Sequence, residues 1–194
     1  MTAALVISLI VITTVAGVWC TKDGEVVQAQ TRAALVRLVA YWLFTVLIAF
    51  ELAAGALWDV LRIEYVRVDL THLGYPLYLL GILGTWRIPG ALTLLMPRFP
   101  RLKEWAYAGA FFDYTGAAAS HFLVGHQAQQ WMAPLIFSGI TLLSWSLRPA
   151  SRRLPGVASP VTRKLALTWA FPILSVVAML MVAFLTLPKG GPPQ

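Results

Sequence analysis

Six apolar stretches, near residues 2–20, 35–58, 73–96, 105–125, 131–147 and 165–187, occupy most of this chain. Each is close to the roughly 20 residues that a helix needs to cross the hydrocarbon core of a bilayer. Lipid offers no partner to a free backbone N–H or C=O, so such segments must satisfy their own hydrogen bonds as helices. The expected fold is therefore all-α: a polytopic membrane bundle of about six transmembrane helices, with short loops and no room for a soluble domain in 194 residues. Composition agrees, since 59% of residues are hydrophobic and mean hydropathy is +0.74, against about 45–50% apolar usage in soluble domains. Residues 2–19 lack the basic start of a secretory signal and Ala16–Cys20 offers no small-x-small cleavage pattern, so the first span is expected to stay in place.

The net charge of +7 does not point to nucleic acid, because the cations sit beside the spans. The segments joining spans one to two, three to four and five to six carry Lys22, Arg32, Arg37, Arg98, Arg101, Lys103, Arg148, Arg152, Arg153, Arg163 and Lys164, while the other side has Arg62, Arg67 and Lys189. Eleven against three places the first set in the cytoplasm and both termini outside. Membrane lipids are then natural partners of the basic loops. Cys20 is the lone cysteine, which excludes an internal disulfide and a multi-cysteine metal site. The tail from Pro188 to Gln194 has too little apolar surface to fold and is expected to fray.

Glu51, Arg87, Asp113 and His121 lie inside the apolar stretches, where charge requires a partner, a watery cavity or a function. Counting inward from the cytoplasmic ends, Arg87 is nine residues from Met96 and Asp113 eight from Trp105; Glu51 and His121 are each sixteen from Leu35 and Trp105. Equal depth predicts two layers, an Arg87–Asp113 ion pair and a Glu51–His121 pair nearer the outer surface. Asp113, Ala117 and His121 at i, i+4, i+8 allow one helix face to serve both. Arg87–Asp113 can be a register-fixing pair, whereas Glu51–His121 suits acid–base chemistry. Small residues from Ala106 to Ser120 suggest that the fourth span is central. Pro89 should bend or open the third span beside Arg87.

Trp86 could wall a flat ligand's pocket, and His72, Tyr75, Tyr78, Asp59 and His126 add polar groups at the outer ends. The three histidines with Glu51 and Asp59 follow no recognised ligand spacing, so no metal is expected. Nucleotide, dithiol, zinc-protease and serine-hydrolase motifs are absent.

From His72 to Leu154 the chain resembles the DoxX-like family of bacterial membrane proteins. The likeness rests on His72-Leu73-Gly74-Tyr75-Pro76, the run Met96–Gly109, Phe112-Asp113, Gly116–His121 and Leu147-Arg148-Pro149. It implies a four-helix core over 31–154, formed by spans two to five, with an added span at each end, 1–30 and 155–194. It places Arg87 where the family commonly has lysine, and puts the protein in a bacterial inner membrane. Better-known relatives are linked to thiosulfate:quinone oxidoreduction, which implies a quinone-linked redox enzyme or subunit. Glu51, Arg87, Asp113 and His121 would then act on a lipophilic small molecule, with Trp86, Tyr75, Tyr78 and His72 around it. No flavin, haem or cluster motif is present, so electrons would come from the substrate or a soluble redox partner on the cytoplasmic face. Two alternatives stand beside this: a cofactor-free intramembrane isomerase, cyclase or epoxide-transforming enzyme, and a non-catalytic scaffold subunit docking its partner through Arg98, Arg101, Lys103, Arg152 and Arg153. A homo-oligomer is compatible with each.

Overall fold

The computed structural model describes residues 2–22, 32–97, 99–154 and 165–188. Among these residues there are seven α-helices and no strand: α1 Thr2–Lys22, α2 Arg32–Leu61, α3 Glu64–His72, α4 Tyr78–Leu95, α5 Pro100–Leu123, α6 Ala128–Leu147 and α7 Leu165–Leu185. Six of them follow the six apolar stretches. By length and composition Ala3–Thr21, Arg32–Leu61 and Tyr78–Leu95 can cross a membrane, and Trp169–Leu185 is a shorter apolar segment. This is a helical membrane protein. Arg98, Arg163, Lys164 and the tail after Pro188 lie outside the described residues.

The helix that organises the bundle is α2, not α5 as the run of small residues suggested. Residues on all sides of α2, among them Tyr41, Trp42, Val46, Ile48, Ala49, Leu52 and Ala53, are buried, the pattern of a helix enclosed by neighbours. They pack against Ala91, Leu94 and Leu95 of α4, Tyr107, Ala110 and Tyr114 of α5, and Val176 and Met179 of α7. Of the small residues of α5, Ala110 and Ala118 are buried, whereas Gly109, Gly116 and Ala119 fall on its outward face. Gly109 and Gly116 have open space where a Cβ would stand, and Trp105 and Phe112 beside them are exposed. Side chains of α5 at 103, 107, 110, 114 and 118 take the core face, so only part of the small-residue run packs inward and Gly109 and Gly116 leave a hollow on the outer side.

The two added helices meet the core at Trp42, which is fully buried. Its Nε1 donates to Thr21 Oγ1 of α1 at 2.9 Å, its ring meets Phe171 of α7 edge-on at 5.5 Å, and Gly17 leaves room for the indole. Polar links tie the other helices: Ser144 of α6 bonds Thr45 of α2 at 2.8 Å and Tyr107 of α5 at 2.9 Å, the kind of interhelical bonding that holds bundles in lipid.

Helix α3 was not foreseen, because its sequence is charged and only Leu70 is buried. It ends in a Schellman turn: Gly74, at φ 78°, donates to Thr71 O at 3.0 Å and Tyr75 N to Leu70 O at 3.1 Å. The same turn closes α5, with Gly125 at φ 82°, and α2, where Arg62 takes the left-handed position at φ 49°. Helix α4 runs through Pro89 without ending there. It stops at Met96, whose extended backbone is what the following Pro97 demands.

Candidate functional site

On α2, Glu51, Gly55 and Asp59 stand at i, i+4, i+8, an acid, a gap and an acid on one face. Arg87 of α4 lies over the gap: a Cβ at Gly55 would be 2.7 Å from its Nη1. From there Nη1 donates to Asp59 Oδ2 at 2.8 Å. The other edge of the guanidinium meets Asp113 of α5, Nε to Oδ2 at 3.0 Å and Nη2 to Oδ1 at 3.2 Å, the bidentate fork that arginine forms with carboxylates. The next residue on α5, Tyr114, points to α2 and donates its hydroxyl to the Glu51 carboxylate. Three carboxyl groups thus surround one guanidinium, and the expected Arg87–Asp113 contact is present.

The Glu51–His121 pair is not. His121 lies two positions before Leu123, the end of α5, whereas Glu51 lies ten before Leu61 and Asp113 ten before Leu123. Glu51 is nineteen residues from the start of α2 and Asp113 thirteen from the start of α5, so those two ends are not level and counting from them paired Glu51 with the wrong residue. At about 1.5 Å per residue His121 is roughly 12 Å above Asp113. Glu51 is level with Asp113 and joins the Arg87 layer. His121 instead meets His126, Nδ1 to Nδ1 at 2.8 Å, and Asp69 of α3, 3.6 Å from its Nε2. Asp59 is the member of the cluster that depth-counting did not place there, although its spacing from Glu51 carried the signal.

Exposure decides which part of the cluster a ligand can reach. The side chain of Asp59 is 4% exposed, against 17% for Arg87 and 18% for Asp113. The accessible edge opens into a cleft of about 570 Å³ between α4 and α5, walled by Trp86, Trp105, Phe112 and Leu83, with Pro89 and Gly109 in its lining. Trp86 thus lines the same space as Arg87 and Asp113. Tyr75, Tyr78 and His72, grouped with Trp86 from the sequence, do not line it. Tyr75 bonds Ser120 Oγ at 2.9 Å at the outer end, and Tyr78 and His72 are exposed.

At the opposite end the cations are largely used inside the protein. Lys103 is buried and donates to the carbonyls of Thr93 and Leu94 at 2.5 and 3.0 Å. Arg152 reaches Leu94 O at 3.3 Å and stacks over Trp42 at 4.6 Å. Both therefore neutralise the negative end of α4. Arg148 pairs with Glu104 at 2.7 Å, and Arg153 donates to Arg148 O at 2.6 Å. Lys103 and Arg152 are thus not the free docking charges that a scaffold reading needs, and Arg153 is engaged too; Arg37 and Arg101 are exposed.

Residues 43–144, more than half of the chain, match the DoxX-like family. The chain belongs to the DoxX-like family. The match runs from α2 into α6 and includes Glu51, Asp59, Arg87, Asp113 and His121, while α1 and α7 fall outside it. No curated protein and no solved structure matches this DoxX-like chain.

Proposed function

We propose that the cleft between α4 and α5 takes a lipophilic small molecule with an acceptor-bearing head group, a quinone before others, making this DoxX-like protein a quinone-linked redox enzyme or subunit. The observation that supports this most is the placement of one guanidinium and one carboxyl group at the polar edge of an otherwise apolar, aromatic-walled cleft. Hydrogen bonds to Asp59 and Asp113 leave N–H groups over on Arg87 for a head-group oxygen. Trp86 supplies a flat face. Quinone reduction takes up two electrons and two protons. Glu51, Asp59 and Asp113 outnumber Arg87, so in low dielectric the cluster is suited to holding protons and passing them on. The electrons would come from the substrate or from a two-electron donor docked on the basic face, where Arg37 and Arg101 are exposed. Placement in a bacterial inner membrane, termini outward, belongs to the same reading, as does self-association.

The excess of carboxyl groups over cations also supports a second reading, an acid–base isomerase, cyclase or epoxide-transforming enzyme working on an apolar substrate without electron transfer. Gently purified protein, extracted and analysed by mass spectrometry, separates the two. Quinone enriched over bulk membrane lipid, and lost from Gly109→Leu, supports the redox reading. Extracts no richer in quinone than bulk lipid, with turnover independent of any electron acceptor, would replace it with the second.

A further inference from the structure

The outer end of the bundle carries a second constellation, separate from the cleft. It arises from the turn that closes α5. In a Schellman turn the side chains at the third-last helical position and at the second residue past the cap are brought together, usually as an apolar contact. Here those positions are His121 and His126. Val124 caps the helix, Gly125 takes the left-handed conformation and donates to Phe122 O at 3.1 Å, and His126 N donates to His121 O at 3.1 Å. The two imidazoles are therefore set against each other by the backbone, with Nδ1 atoms 2.8 Å apart and ring centroids 5.1 Å apart.

A third donor comes from another element. Asp69, on α3, stands 3.6 Å from His121 Nε2 and makes no other ion pair among the described residues. The bond from Tyr75 to Ser120 at 2.9 Å ties the end of α3 to the end of α5, which holds Asp69 beside the histidines. One nitrogen from each histidine and one carboxylate oxygen lie within 4.8 Å of one another. All three residues are half-buried, so the group is held by its surroundings and open to water on one side.

We propose that Asp69, His121 and His126 bind a divalent first-row transition metal, with water completing the coordination. Imidazole and carboxylate form a donor set suited to zinc or iron(II) and less to calcium or magnesium, which prefer oxygen. Ligands about 2.0–2.1 Å from a tetrahedral zinc stand about 3.3 Å apart. The Nδ1 atoms would part by about half an ångström, and Asp69, which faces His121 Nε2, would turn toward the Nδ1 side, a rotamer change open to half-buried side chains near helix ends. The spacing His-x4-His is not a helical ligand pair and was passed over in the sequence; the glycine turn makes it one. His72, one turn along α3 from Asp69, is not part of the group.

The test uses the full chain in detergent or nanodiscs, with Zn²⁺ titrated against a chromophoric chelator and Co²⁺ absorption as a second probe. One equivalent should bind. His121→Ala, His126→Asn and Asp69→Asn should each weaken binding about tenfold or more, and His72→Ala should leave it unchanged. Helicity and the unfolding midpoint establish that each variant is folded. His126→Asn, a change in an exposed turn, keeps the test usable should His121→Ala not fold. Absence of saturable Zn²⁺ binding by the wild type would overturn the proposal, as would binding that survives both His126→Asn and Asp69→Asn or that His72→Ala weakens equally.

Discussion

Replacing Arg87 with methionine keeps most of the side chain's bulk and removes its charge, leaving Asp59, Asp113 and Glu51 facing one another with no cation. Three charge-assisted bonds disappear, two to Asp113 and one to Asp59. Each such bond contributes roughly 1.5–3 kcal/mol when its alternative is water. Removing one partner of a buried ion pair destabilises by about 3–5 kcal/mol. Interhelical polar contacts in lipid average nearer 0.6 kcal/mol, because an unfolded chain in the membrane also finds partners. We therefore expect a loss of about 3 kcal/mol for Arg87→Met, measured as equilibrium unfolding in mixed detergent micelles followed by helical circular dichroism. Asp113→Asn in the Arg87→Met background should recover part of it, giving a coupling of about 1–2 kcal/mol in the double-mutant cycle. Arg87→Lys keeps the charge but cannot bridge Asp59 and Asp113 with a fork, so it should fall between. Arg87→Met within about 0.5 kcal/mol of wild type, or a coupling near zero, would show that the cluster does not hold α2, α4 and α5 together.

Gly17→Ala places a Cβ 2.4 Å from the Trp42 ring and should loosen α1 by about 1–3 kcal/mol, seen as faster proteolysis of α1 than in wild type. Arg62→Gly removes a side chain from a left-handed backbone position (φ 49°) and should raise stability by about 1 kcal/mol; a lower unfolding midpoint would contradict the turn assigned there. Lys103→Met keeps the buried stem but withdraws two donors from the end of α4, and should lower stability by about 1–3 kcal/mol while cleft-ligand affinity changes little.

The positions of the helices were legible because lipid forces apolar runs into helices, and α1, α2 and α4 to α7 follow the six stretches closely. What hydropathy could not show was which helix lies in the middle. Small residues permit close approach but do not require it; on α5 Ala110 and Ala118 are buried but Gly109 and Gly116 face outward, and the central place goes to α2, whose Glu51-x3-Gly55-x3-Asp59 face receives Arg87. Depth-counting succeeded for Arg87 and Asp113, near the middle of their helices, and failed for Glu51 and His121, because α2 runs six residues further below the Arg87 level than α5 does. Asp59 escaped because arginine reaches a full turn along its neighbour. Among the described residues, Lys103, Arg148, Arg152 and Arg153 gather at one end of the bundle. The use of Lys103 and Arg152 against the carbonyls of Thr93, Leu94 and Leu95 was invisible, since backbone acceptors leave no mark in a sequence.

The reading of the cleft is tested most directly by titrating a short-chain quinone analogue into the protein in nanodiscs and following tryptophan fluorescence, since Trp86 and Trp105 line the space. A Cβ at Gly109 meets nothing within 4 Å, so Gly109→Leu fills the cleft without disturbing the bundle. Saturable quenching in the wild type, weakened about tenfold or more by Gly109→Leu and unchanged by His126→Asn, is the predicted result. Quenching that does not saturate, or equal affinity in Gly109→Leu, would contradict it.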